Sequence, residues 1–245
     1  MKSARRRRAS PPSAPRSRRA GPVLGLDLAG SPRRSTGWCL LYGEADARAG
    51  VVHDDAEIAE LVARARPALV IVDAPLSLPR GRRTIEDRSG PHLRACDREL
   101  LRRRIRFFPL TLGPMRLLTV RGMTLAARIG RAGVTVVEGY PGASQDLIGI
   151  PRKNDGLEGL ARGLRRLGLR GDLARRALTH DELDAVTIAW VGRQHLRGRS
   201  LVIGDPSERQ MVLPTPIPSE PPSRGSRRSP SRRRVGTTPP LRATA

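Results

Sequence analysis

The chain has 245 residues, 46 of them Lys or Arg against 23 Asp or Glu, giving a formal charge of +23 with only 2% aromatic residues. That length suits one large domain or two small ones, and the charge points to a polyanionic partner, nucleic acid ahead of an anionic membrane surface. Two cysteines exclude a disulfide framework, and no apolar run reaches the roughly 18 residues of a membrane span.

The charge is unevenly placed. Residues 1–20 carry eight Lys or Arg and no acid, and residues 214–245 carry seven Arg and one acid, Glu220. Both stretches are rich in Pro and Ser and too poor in bulky hydrophobes to offset chain entropy, so both are expected to be disordered basic tails. A single domain over residues 21–213 keeps a charge of +9. Lysine is confined to Lys2 and Lys153, a skew toward arginine of the kind codon bias gives, so the charge supports polyanion binding without proving it. No apolar signal-peptide core follows the basic amino end. A cytoplasmic location is expected, with Cys39 and Cys96 as buried thiols.

In chain order, Val23–Gly30 reads as a buried central strand holding one carboxylate, Asp27. Burying that charge requires a cation, a metal or a hydrogen-bond network; alternatively, Asp27 ends the strand and caps the next turn. Thr36–Tyr42 predicts a second strand, Gly43–Ala49 a turn and Gly50–His53 a short third strand. Ile58, Leu61, Val62 and Ala65 mark an amphipathic helix over 55–66. Ala68–Asp73 is an unalternating apolar run, as in a central parallel strand, and it ends in a carboxylate.

A polar loop, Arg80–Asp87, leads to two helical stretches. The first, 91–105, is expected to turn Leu93, Cys96, Leu100 and Leu101 inward and Arg94, Arg98, Arg102 and Arg103 outward. The second covers 115–131. Val134–Glu138 predicts a fifth strand, again closed by an acid. Helices follow around Leu157–Leu167, Leu173–Leu178 and His180–Leu196, with Leu201–Ile203 and Met211–Leu213 as weak strand candidates. Three strands, a helix, a strand, a helical pair, a strand and then helices make a mixed five-stranded sheet flanked by helices, with a helical insertion after the fourth strand. That is the element order of an α/β ribonuclease H-like fold.

Asp27, Asp73 and Glu138 lie in or at the ends of predicted strands, where sites form in open α/β sheets. Asp181 and Asp184, three residues apart, share one face of the last helix. Carboxylates gathered at one point repel unless neutralised, and hard divalent cations take oxygen ligands. Two such ions hold the attacking and leaving oxygens of a phosphodiester. Each acid also has a structural alternative. Asp73 before Ala-Pro can simply end its strand, Glu138 can pair with an arginine of the insertion, and Asp181 and Glu182 suit a helix start, as does His180.

These residues resemble a family. Gly25-Leu-Asp-Leu-Ala-Gly, Thr36-Gly-Trp, Val72-Asp-Ala-Pro-Leu-Ser-Leu-Pro, Arg94-Ala-Cys-Asp-Arg-Glu-Leu, Glu138-Gly-Tyr-Pro-Gly-Ala and His180-Asp-Glu-Leu-Asp-Ala together resemble domain of unknown function 429, a predicted-nuclease family of ribonuclease H-like fold. The likeness runs over roughly Val23–Pro214. The last helix is also similar to that of RuvC-type junction resolvases. The resemblance implies metal-ligand roles for Asp27, Asp73, Asp181 and Asp184, catalytic roles for Asp27, Asp73, Asp184 and the weaker Glu138, and a phosphate contact for Lys153. It further implies two Mg²⁺ or Mn²⁺ ions and a nucleic-acid substrate, DNA or RNA. Two other classes stay open. One is a non-catalytic nucleic-acid binder of the same fold. The other is an ATP-using phosphotransferase of the sugar kinase and actin superfamily, which Asp27-Leu-Ala-Gly-Ser resembles but for which no second glycine-rich phosphate loop is present.

Overall fold

Eight strands form one mixed sheet in a computed structural model that describes residues 21–217. The tail expected over residues 1–20, and residues 218–245 of the other, lie outside that span. The strands are β1 (Val23–Asp27), β2 (Thr36–Tyr42), β3 (Asp46–Val52), β4 (Leu69–Val72), β5 (Val136–Gly139), β6 (Arg170–Gly171), β7 (Ser200–Ile203) and β8 (Met211–Pro214). The helices are α1 (Asp55–Ala65), α2 (Ala95–Arg102), α3 (Gly113–Arg131), α4 (Pro141–Leu147), α5 (Leu157–Arg166), α6 (Asp172–Arg175) and α7 (His180–Leu196).

The sheet order is β6-β3-β2-β1-β4-β5-β8-β7. β2 runs antiparallel to β1 and β3, while β1, β4, β5 and β8 run parallel. The central five strands, with α2 and α3 inserted after β4, have the order and directions of the ribonuclease H-like fold. The sheet is wider than the five strands expected. The two weak candidates near the carboxyl end pair as β7 and β8 beyond β5, and β6 adds two residues beside β3, too few to show a pattern. β3 begins at Asp46 rather than Gly50, because Gly43 at φ +56 turns the chain tightly enough for Asp46 to pair with Tyr42.

Side-chain alternation divides the core. Leu24, Leu26, Val70 and Val72 face one layer with Ile58 and Leu61 of α1 and Leu125 and Ile129 of α3. Val23, Leu69 and Ile71 face the opposite layer with Ile188 and Val191 of α7. α7 is buried on nearly every side from Glu182 to Arg193, as expected of a helix central to a domain. Two glycines let it lie against the strands. A Cβ at Gly25 would come within 2.3 Å of the Ala185 carbonyl oxygen, and one at Gly37 within 2.2 Å of that of Asp181. Among the described residues no helix is long and apolar enough to cross a membrane.

Candidate active site

Asp27 closes β1 and Asp73 directly follows β4, its N–H donating to the Leu26 carbonyl at 2.9 Å. Leu26 is paired with Val72 across these parallel neighbours, so the next residues stand side by side at the sheet's carboxyl edge. The alternation that sends Leu26 and Val72 toward α1 and α3 sends Asp27 and Asp73 toward α7.

α7 brings the other two acids. Its start is fixed by a capping box. The Thr179 hydroxyl accepts from Glu182 N–H at 3.3 Å, and the Glu182 carboxylate accepts from Thr179 N–H at 2.8 Å and pairs with Arg176 at 2.6 Å. Glu182 is thus committed to the cap. Asp181, in the first turn, accepts from the Ser35 hydroxyl at 2.7 Å and lies 2.7 Å from His180 Nδ1. Asp184, a turn deeper, is only 4% exposed. Its Oδ1 accepts from Gln145 Nε2 at 2.8 Å, and its Oδ2 lies 2.8 Å from Lys153 Nζ.

The electrostatics report mutual proximity. Burial, then the charges of Asp184 and Asp181, push the Asp27 carboxyl up to about 8 against the opposing pull of Lys153; Asp27 also shares a hydrogen bond with Asp181. Burial, then Asp27 and Asp184, hold Asp73 well above the carboxylate range, again opposed by Lys153. Burial disfavours the Lys153 ammonium, but Asp184, Asp27 and Asp73 outweigh it and raise its pKa. Among the described residues neither Asp27 nor Asp73 forms an ion pair, and Lys153 is the cation that the cluster draws on.

This has a consequence for stability. The folded protein keeps the Asp27 proton to a higher pH than the unfolded chain, whose carboxyl titrates near 3.8. Stability is therefore full below that value and falls as pH rises toward about 8. Without divalent metal, unfolding free energy is expected to drop between about pH 5 and pH 8, with Asp73 contributing in the same direction, and Asp27→Asn to make the fall shallower. Urea titrations across that range check it; parallel wild-type and variant profiles would mean that Asp27 is already ionised in the folded state.

Glu138 lines the same cavity as Asp73 and Asp184, and its charge adds to the rise of Asp73, but its carboxylate is committed to Arg94. It pairs in register with Val72, which sets it on the opposite face from Asp73, and Gly139 takes the α7-facing place. Its carboxylate receives two bonds from Arg94, at 2.6 and 2.8 Å, and one from Leu76 N–H at 2.9 Å. Arg94 also pairs with Asp97 at 3.0 Å. The expectation that Arg94 faces solvent is thus corrected. It is 2% exposed, while Leu101, expected inward, is 53% exposed. This buried guanidinium ties the insertion to the sheet. Glu208 adds a second tie, accepting from Arg80 N–H and Ala95 N–H at 2.6 Å each.

Gln145 was not visible as a site residue. It lies on α4, a short helix beyond the elements expected from the sequence, although Pro141 sits at its first turn as helix starts favour. A cavity of about 300 Å³ opens beside the acids, lined by Asp73, Asp184, Gln145, Lys153 and Tyr140 and, from the insertion, Phe107 and Phe108. Cys39 and Cys96 are free, buried thiols, and burial pushes both up, so neither offers a nucleophile.

The donors that meet here are hard oxygens with too little compensating charge, which suits a divalent cation. As they stand, no three His, Cys, Asp or Glu side chains among the described residues converge to form a metal cage. Magnesium does not need one, since it is commonly held by one or two carboxylates with water and substrate phosphate completing the shell.

Residues 25–209 match the profile of a family described as Protein of unknown function (DUF429). No curated protein matches the chain significantly. Among solved structures, RuvC of T. thermophilus in complex with a Holliday junction substrate is similar at 17% identity, over 73% of this chain and 96% of that one, with a TM-score of 0.42. A second Thermus thermophilus RuvC structure is similar at 16% identity, over 78% and 99%, with a TM-score of 0.41. At that distance neither adds weight, and the fold assignment rests on strand order and direction.

Proposed function

The chain belongs to the DUF429 family of proteins of unknown function, and from that premise we propose that it is a divalent-metal-dependent nuclease hydrolysing phosphodiester bonds. The observation that carries this reading is geometric: Asp27 and Asp73 stand side by side at the sheet's carboxyl edge with no ion pair of their own among the described residues, and Asp73 shares an open cavity with Asp184. A purely structural network would pair each buried acid, as Arg94 pairs Glu138.

In this reading Asp27, Asp73 and Asp184 hold one or two Mg²⁺ or Mn²⁺ ions, with Asp181 supporting from the helix start. Bound divalent ions supply Lewis-acid polarisation of the phosphodiester and a lower pKa for water. The rest falls to the side chains. Gln145 fixes the orientation of Asp184 through Oδ1. Lys153, half-exposed at the rim, leaves Asp184 Oδ2 and turns its ammonium to a phosphate oxygen of the substrate. Asp27 and Asp73 give up the protons that burial and repulsion had retained.

The non-catalytic binder has one observation in its favour: Lys153 already stands where a cation would neutralise Asp184. The phosphotransferase has none, since β4 and β5 lead into Asp73-Ala-Pro and Glu138-Gly-Tyr rather than glycine-rich phosphate loops. The test is hydrolysis of single-stranded, duplex and branched DNA and RNA with Mg²⁺ or Mn²⁺, against chelator. Turnover of at least one substrate that stops in chelator is expected. Binding without cleavage of any of them would favour the binder.

A further inference from the structure

The chain contains two phenylalanines, and they are adjacent. Phe107 and Phe108 lie in the link between α2 and α3, and both line the cavity that holds Asp73 and Asp184. Phe107 packs partly against the core around Leu100 and Ile105, while Phe108 is 69% exposed. The link is held in place from the other wall. Tyr140, at the start of α4, donates its hydroxyl to the Arg106 carbonyl at 2.6 Å.

The charges beside these rings are unspent. Arg102 and Arg103 reach Glu99, but among the described residues Arg104 and Arg106 pair with no acid. Arg104 has φ +59, a conformation that glycine adopts more easily, yet the position carries a long cationic side chain. An exposed aromatic ring at the mouth of a cavity lined by carboxylates, with exposed unpaired arginines two and four residues before it in the chain, has charge complementarity with one occupant in particular. A nucleic-acid strand offers phosphates to the arginines and the face of a base to the ring.

We infer that residues 104–108 form a binding lip for unpaired nucleotides, with Phe108 stacking on a base and Arg104 and Arg106 holding the backbone beside it. The substrate class is thereby narrowed to nucleic acid with unpaired bases next to the scissile phosphate. A fully paired duplex hides its base faces from the ring, so it gains only the arginine contacts. The inference rests on the nucleic-acid reading above.

The test uses the full chain in chelator, so that binding is read without cleavage. Fluorescence anisotropy compares a fully paired DNA duplex with the same duplex carrying a three-nucleotide single-stranded gap. Phe108→Ala is expected to weaken binding to the gapped DNA by about tenfold and to the paired duplex by less than about twofold. Phe108→Trp should restore the preference. Arg106→Gln should weaken both and reduce the salt dependence by about one phosphate contact. Equal losses on both substrates in Phe108→Ala, or no loss, would overturn the lip. If the wild type binds neither DNA nor the same paired and gapped ligands made of RNA, the nucleic-acid reading falls and the lip falls with it. A selective Phe108 effect in a protein that cleaves nothing would uphold the lip and overturn only the nuclease.

Discussion

Asp184→Ala is expected to abolish divalent-metal-dependent hydrolysis, by on the order of a thousandfold or more, whereas Asp181→Ala costs only about tenfold. The two acids lie one turn apart on α7 and differ in what already holds them. Asp181, 17% exposed in the first turn, faces Asp27 but is already satisfied by the Ser35 hydroxyl and His180. Asp184 is buried, and its neighbours are the Gln145 amide and the Lys153 ammonium that the cation reading requires to move. Removing it takes away a ligand and leaves Lys153 facing the two remaining acids. Hydrolysis by both variants, with far-ultraviolet circular dichroism to show that α7 persists, decides it. Equal activities would mean that the depth of Asp184 has no chemical consequence.

The largest stability effect is expected at Arg94. Burial disfavours its charge, but Glu138 and Asp97 outweigh burial and raise its pKa. Arg94→Met leaves two carboxylates buried without a counter-charge, which typically costs about 3–5 kcal/mol. The double variant Arg94→Met with Glu138→Gln should recover part of the loss, because the worst of the stranded charge is then gone. Urea unfolding of the single and double variants measures this directly. A single variant as stable as wild type would show that the insertion does not depend on this pair.

The central strands, the long helices and the insertion were legible because they carry unbroken apolar runs or clear helical spacing. Asp27 and Asp73 were legible for a related reason: a charge inside or just after such a run has nowhere neutral to go. Asp184 stood out likewise within an apolar helix. The fate of Glu138 was not readable. Its side depends on which residue of β5 pairs with Val72, and a run that is apolar on both faces carries no parity signal. Arg94 misled for a similar reason. An arginine among outward-facing arginines looks solvated until a long-range partner is known, and Glu138 is 44 residues away. α4 escaped because seven residues make too short a window for helical periodicity. Gly25 and Gly37 were visible as strand residues, but their purpose, admitting the backbone of α7, exists only in the packed molecule.

The central claim is that Asp27, Asp73 and Asp184 form one cation-dependent hydrolytic centre. It is tested most directly by calorimetric titration of Mn²⁺ into the full chain and into Asp27→Asn, near neutral pH and without nucleic acid. The isosteric amide keeps the shape of the site and removes a charge and a ligand. The wild type is expected to bind Mn²⁺ with release of protons, as Asp27 and Asp73 ionise on binding. Asp27→Asn is expected to bind at least about tenfold more weakly and to release fewer protons. Equal Mn²⁺ binding and proton release by the two proteins, or no binding by the wild type at millimolar Mn²⁺, would contradict the account.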